Sequence, residues 1–209
     1  ATDKIREFLL KKIETLKTPN TNISIIQQSI FLKYKELFWF ILERYSEAAT
    51  EIKINYVNTV ATYYFSSFEK YLKSTQKLQM IIADKLDLIG CEENAKRGGL
   101  FASKINLKDK SNVFTLGERI QVLTNADAGI ILGHIAEEQN IKYPYEAIFK
   151  SVNRLLIDNS SSEYTFTAYF FCSPKLNNKV NQSNLNNTTS TDLNLANLIF
   201  LEIFDSTIK

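Results

Sequence analysis

The side chains able to do acid–base or ligand chemistry are few and scattered. His134 is the only histidine, and histidine is the side chain whose ordinary pKa lets it exchange protons near neutrality. An enzyme hidden between Ile81 and Tyr143 would be built around His134, Arg119 and Asp84, with His134 as the candidate base, and would require a pocket with perturbed titrating groups. A single histidine with no cysteine or acid pair beside it does not make a metal site. Asp84, Asp87, Glu92 and Glu93 lack the spacing of a calcium-binding loop. Lys96-Arg97-Gly98-Gly99 is a basic turn whose N–H groups could face a phosphate. The Lys-Ser/Thr pair that completes a phosphate-binding loop does not follow it. There is no nucleophile elbow and no dinucleotide glycine pattern. The expectation is therefore no catalytic residue, no cofactor and no metal.

Composition narrows the alternatives. Lysine plus arginine number 25 against 23 acids, a net charge of +2, which argues against a protein held chiefly by nucleic acid or by an anionic membrane. The longest apolar run, Leu37–Leu42, is far short of the ~20 residues needed to span a bilayer. Ala1–Lys12 is amphipathic and charged, unlike a signal peptide. Cys91 and Cys172 are too few for a disulfide framework and are read as reduced thiols. The sequons at Asn22, Asn159, Asn181, Asn186 and Asn187 are then chance matches in an Asn-rich chain. With 6 glycines and 3 prolines, long helices fit better than a many-turned β protein.

The elements that would carry any site are helices. From Ser24 to Met80 there is no proline and no glycine, and apolar residues return at helical spacing through Ile26, Ile30, Leu37, Ile41, Ile52, Tyr56, Val60, Tyr64 and Leu78. Asn20, Thr21 and Asn22 are candidate N-caps. Unbroken, the run is a rod of roughly 85 Å; a break near Ser46–Thr50 would give two antiparallel helices instead. Before it, Asp3 to Lys17 reads as a helix with Ile5, Phe8, Leu9, Ile13 and Leu16 on one face and a basic side facing solvent, lipid or a partner. After it, Ile120–Leu123 fits helix or strand. Pro144 opens a helix carrying Ile148, Phe149, Val152, Leu155 and Leu156, with Asp158–Ser162 as an interruption before a second helix over Glu163–Phe171. Phe114–Arg119 is expected to be pinned between that helix and the long run. The fold class is all-α: long helices in an elongated bundle or rod with an irregular middle region. The domain expectation is a helical bundle over 1–175, a flexible Asn-rich insert over 176–191, and over 192–209 the start of a following helix, capped by Thr191 or Asp192.

The aromatics of the long run do not fit on one stripe, so some must face a second helix or a partner. Stacked bases would need interleaved arginines, and the run has only Arg44. Core packing is the plainer reading. Protein-binding hot spots favour Trp, Tyr and Arg, so Trp39, Tyr45 and Tyr71 are the candidates for a binding surface if they are exposed.

Ordered blocks of residues resemble one family. They are Ile5-Arg6-Glu7-Phe8-Leu9-Leu10-Lys11-Lys12-Ile13, Thr21-Asn22, Asp84-Lys85 with Asp87-Leu88 and Gly90, and Phe114-Thr115-Leu116-Gly117 with Arg119. Tyr143-Pro144-Tyr145-Glu146-Ala147-Ile148-Phe149, Leu156 with Asp158-Asn159, and Glu163-Tyr164 continue the order. Together they resemble the vacuolar protein sorting fifty-two subunit of the GARP/EARP vesicle-tethering complexes, over roughly residues 3–172. The resemblance implies a non-enzymatic coiled-coil and helical-rod scaffold, peripheral at the trans-Golgi network and endosomes in the cytoplasm. It implies endosome-to-Golgi retrograde transport, with sister tether subunits, SNAREs and Golgi small GTPases as partners and no nucleic acid. It also implies that the family's amino-terminal coiled-coil region and carboxy-terminal rods are missing from this section of a longer protein. No family binding residue carries over to a numbered position. The opposing readings are a helical nucleic-acid-binding or other interaction module, and the enzyme around His134.

Overall fold

The computed structural model describes residues 2–80, 120–125, 129–172 and 189–208, with the side chains of Leu123 and of 189–193 left aside. Within them the protein is all-α, and among the described residues the sole β feature is an isolated parallel bridge between Gln79 and Tyr143. The chain divides into two compact units, one of residues 1–70 with 156–209 and one of residues 71–155.

In the first unit, helix α1 spans Thr2–Thr15 and buries Leu9 and Ile13, with Leu16 just beyond its end. Asp3 in its first turn and Lys12 in its last complement the helix dipole. Asn20 follows Pro19 with φ 62°, a left-handed conformation that asparagine tolerates better than most residues. Asn22 is the cap that the sequence suggests, its side chain accepting the Ile25 N–H at 3.2 Å at the start of α2, Ile23–Ile26.

The glycine-free, proline-free run is helical but not one rod. A π turn occupies Gln27–Phe31, marked by the Leu32 N–H donating to the Gln27 carbonyl at 2.9 Å. Helix α3 then runs Lys35–Arg44 and stops at Tyr45, which has φ −144° and ψ 69°. Helix α4 follows over Ser46–Gln76. The break thus falls one residue before the expected Ser46–Thr50, and the π turn is a second interruption. Neither site holds a helix breaker. Tyr45 keeps its hydrogen bonds through the break: its N–H reaches the Ile41 carbonyl at 2.7 Å and its own carbonyl accepts from Ala49 at 3.1 Å. With both backbone groups of Tyr45 bonded at the break, tertiary packing can redirect the chain there at little cost.

The later helices run differently from their sequence reading. Short helices α5, Gln121–Thr124, and α6, Gly133–Glu138, resolve the ambiguity at Ile120–Leu123 in favour of helix. Helix α7 is continuous over Tyr145–Phe171, so Asp158–Ser162 does not interrupt it. Ser and Thr are tolerated on an exposed helix side because their hydroxyls bond back within the helix, as Ser160 Oγ to Ile157 O and Thr165 Oγ1 to Ser161 O do. Helix α8 spans Thr189–Ile208, starting before the expected Thr191 or Asp192 cap. Phe114–Arg119 and 176–188 lie outside the described residues.

The core of the first unit is aromatic. Phe31, Phe38, Tyr56, Phe166, Phe170 and Phe171 are buried. Phe38 stacks on Phe170 at 4.9 Å while Phe171 meets Phe38 edge-on at 5.2 Å. Helix α8 closes on α4 through Tyr64 and Phe204, stacked at 4.8 Å, and on α7 through Tyr164 and Phe200 at 5.8 Å. The second unit has its own smaller core of Leu78, Ile131, Ala136 and Ile148, with Tyr143 and Val152 packed against it. Gly133 passes close to α4 there: a Cβ at this position would lie 3.0 Å from Ser74 Oγ.

Ile41 has no exposed surface, so Ile41→Asp would bury a carboxylate without a partner. The expected result is loss of the cooperative melt followed by circular dichroism. Phe170→Ala, which empties the centre of the ring cluster, should retain the fold at a cost of about 3–5 kcal/mol in chemical denaturation.

Candidate interaction surface and the network behind it

A buried carboxylate organises the first unit. Glu163, on α7, is wholly inaccessible to solvent. Its Oε1 accepts from Tyr56 Oη at 2.6 Å, and its Oε2 accepts from Tyr64 Oη at 3.0 Å and from Gln27 Nε2 at 2.8 Å. Gln27 Nε2 also donates to Tyr56 Oη at 2.7 Å. Three donors converge on two oxygens, and none of them is a cation. Burial pushes the Glu163 carboxyl above the ordinary carboxylate range, and the bonds from Tyr56, Gln27 and Tyr64 pull back against it. Burial first, then the neighbouring carboxylate, raises the Tyr56 and Tyr64 hydroxyls, so both stay protonated as donors.

The network joins the π turn, α4 and α7. Tyr56 and Tyr64 are eight residues apart on α4 and so share a face. That spacing was the available signal for a common polar partner, but nothing in the sequence pairs it with Glu163 or Gln27. A second hydrogen-bonded clasp lies in the other unit. Tyr71 Oη donates to the Ile131 carbonyl at 3.0 Å and lies 2.7 Å from Ser151 Oγ, which accepts from the Ile131 N–H at 2.8 Å.

The three aromatic candidates part company. Tyr45 is half exposed, at the break between α3 and α4, and Phe40, on the same helix, is 44% exposed. Trp39 is half-buried; its Nε1 donates to the Phe170 carbonyl at 3.0 Å and Lys35 stands over its ring. Tyr71 is half-buried and spends its hydroxyl on the clasp. Trp39 and Tyr45 belong to the first unit and Tyr71 to the second.

Arg6 and Glu51 form a bidentate pair linking α1 to α4, with Nε to Oε2 at 2.5 Å and Nη2 to Oε1 at 2.6 Å. Glu51 is held below the ordinary range by its bond to Arg6, and Arg6 is raised in turn. Both side chains are about a third exposed, so the pair orients α1 more than it stabilises the fold.

Of the enzyme constellation only His134 is described, and it is exposed near the start of α6; Asp84 and Arg119 lie outside the described residues. A recess of about 780 Å³ in the second unit is lined in part by Gln121, Asn125, Tyr143, Lys150 and Ser151. Its polar groups hold the chain together: Lys150 Nζ donates to the carbonyls of Val122, at 2.6 Å, and Asn125. Among the described residues no group of His, Cys, Asp and Glu is placed to hold a metal, and no helix is long and apolar enough to cross a membrane.

The described structure is that of an all-helical protein whose buried polar groups serve its packing and whose distinctive groups are aromatic rings at the surface. The family model "Vps52, C-terminal" matches residues 58–206 and "Vps52/Sac2 family, coiled-coil" matches residues 1–41, so this chain belongs to the Vps52 family. The second match corrects the expectation that the coiled-coil region is missing, since part of it is present. The chain is 41% identical over 172 residues to vacuolar protein sorting-associated protein 52 B of Arabidopsis thaliana and 40% identical over 174 residues to the Homo sapiens homolog, covering 82% of this chain in each case. To the Saccharomyces cerevisiae protein it is 25% identical over 191 residues, 81% of the chain. The chain spans 24% of the length of the first two relatives and 30% of the third. No solved structure matches it.

The Glu163 network fixes a pH dependence. Its folded pKa lies above the ordinary 4.5, so the folded state binds its proton more tightly than the unfolded chain does. Its contribution is fully present below the unfolded pKa and is lost as pH rises through the folded value, then levels off. Glu163→Gln should abolish that part of the slope in denaturation measured across pH. Glu163→Ala, which removes the acceptor of three buried hydrogen bonds and leaves the Tyr56 and Tyr64 hydroxyls without it, should cost about 2–5 kcal/mol near neutrality.

Proposed function

We propose that this chain is a scaffold section of a vesicle-tethering subunit that acts in endosome-to-trans-Golgi retrograde transport without catalysing a reaction. Membership of the Vps52 family carries the reading. The relatives' names, vacuolar protein sorting-associated proteins, support a role in membrane traffic. The all-α architecture supports a role through packed helices and surfaces, which is all a tether requires. Several weak surfaces on a stiff body give high avidity once linked. Sister subunits of the GARP/EARP complexes are the first expected partners, with SNAREs and Golgi small GTPases next, and the location is peripheral at the trans-Golgi network and endosomes.

Tyr45 is the residue best placed to work at such a surface. Its ring is half exposed while its backbone is tied on both sides of the helix break. Phe40 adds a second accessible ring from α3. A rigid aromatic held outward forfeits little conformational freedom on binding. Trp39 and Tyr71 are proposed only as supports of this surface and of the second unit, since both use their polar atoms internally.

The test is affinity capture of tagged chain from cell extract, with quantitation of sister tether subunits. Tyr45→Ala with Phe40→Ala should lower their recovery about tenfold or more, the loss of one to two interface hot spots, at an unchanged melting temperature. Recovery equal to that of the unsubstituted chain would remove this surface. Absence of every tether subunit from the capture would remove the functional reading itself.

A further inference from the structure

Three lysines of the first unit rest on aromatic rings at the surface. Lys12 Nζ lies 5.7 Å from the centroid of Phe8, Lys33 Nζ 5.6 Å from that of Tyr34, and Lys35 Nζ 4.9 Å from that of Trp39. Phe8 and Tyr34 themselves meet edge to face at 5.4 Å, joining α1 to the turn before α3. Lys12 and Lys33 therefore stand over adjoining rings, and Lys35 follows Tyr34 directly in the chain. Of the other cations of α1 and its following turn, Arg6 holds Glu51 and Lys17 holds Glu14 at 2.8 Å, while Lys4 and Lys11 lie on none of these rings. Lys12, Lys33 and Lys35 hold no carboxylate among the described residues.

A lysine laid along a ring has its stem ordered while its ammonium stays available. Such a group pays less entropy on binding an anion than a lysine loose in solvent. Three of them, two over the adjoining Phe8 and Tyr34 rings and one over Trp39, present positive charge with apolar surface beneath. The complementary partner has carboxylates with apolar side chains between them. A flat anionic membrane fits less well. Asp3 and Glu7 on α1 and Glu36 on α3 are also exposed, and a plane pressing on both helices would meet those acids together with the lysines. An extended strand is narrower than such a plane and need not meet every acid at once.

We propose that Lys12, Lys33 and Lys35, with the Phe8, Tyr34 and Trp39 rings beneath them, form a docking site for an extended acidic peptide segment of a partner protein. The site does not depend on the tethering role. It differs from the Tyr45 surface in being electrostatic, so its binding should weaken with salt.

The experiment uses the full 209-residue chain and a fluorescein-labelled peptide of aspartate and glutamate with a central leucine pair. The same peptide in asparagine and glutamine is the control, and phosphatidylserine vesicles are the third arm. The acidic peptide should bind, the amide peptide should not, and affinity should fall about tenfold between low and moderate salt. Lys12→Glu, Lys33→Glu and Lys35→Glu together should abolish binding, whereas Lys53→Glu, Lys70→Glu and Lys77→Glu together should leave it within about twofold. Where the charge-reversed triple fails to melt cooperatively, Lys→Gln at the same three positions replaces it and should still cost about tenfold. Equal binding by either patch variant overturns the proposal. So does binding to vesicles without binding to the acidic peptide, or failure of the acidic peptide to bind at low salt.

Discussion

An ionisable carboxyl group in an aromatic core must be satisfied or it unfolds its surroundings, and the first unit is built around meeting that demand. Among the described residues Glu163 has no cation within hydrogen-bonding reach, only two phenols and an amide. Each donor comes from a position that helix geometry has to bring within 3 Å: the π turn supplies Gln27, and two turns of α4 supply Tyr56 and Tyr64. A purely apolar core of similar volume would pack as well and tolerate sliding of one helix on another. The converging hydrogen bonds tolerate much less, because a shift of one residue strands three buried polar groups at once. The network thus chooses among packings that ring stacking alone would leave close in energy.

Much of the architecture was legible in the chain. The absence of glycine and proline from 24–80, with apolar residues at three- and four-residue steps, specified helix, and helix is what that stretch forms. Asn22 was legible as a cap because its side chain can reach the N–H three residues on. What was not legible depends on distant residues. A break near Ser46–Thr50 is one of two readings the sequence leaves open, but nothing local decides for it or places it at Tyr45, since the neighbouring residues hold no glycine or proline. The continuity of α7 through Asp158–Ser162 ran against propensity and was decided by packing on both sides of the segment. Glu163 looked like an ordinary first-turn acid because its partners lie 99 to 136 residues away. Pairs at close helical spacing could have been read: Phe8 with Lys12 and Lys35 with Trp39 are each four apart.

The binding candidates separate by how firmly they are anchored. Trp39 and Tyr71 each commit a polar atom to a backbone carbonyl and a large part of the ring to the interior. They lend rigidity to what surrounds them. Tyr45 has the opposite character, with an accessible ring on a fixed backbone. A binding surface needs both kinds of residue, one to hold it in shape and the other to be met there.

The π turn has an angular consequence. A helix advances about 100° of phase with each residue, and a π turn accommodates one residue more than an α turn. At Phe31 the chain is therefore offset by about that much relative to a regular helix continuing from Ile23, and the non-helical step at Tyr34, φ −109° and ψ 20°, turns it again before α3. Lys33, Tyr34, Lys35 and Trp39 all lie after it. The direction in which those lysines and rings face is set by the extra residue and the Tyr34 step together, and Gln27, the first residue of the π turn, is held by the Glu163 carboxylate. Surface bearing and buried charge are in this way two readings of the same dial.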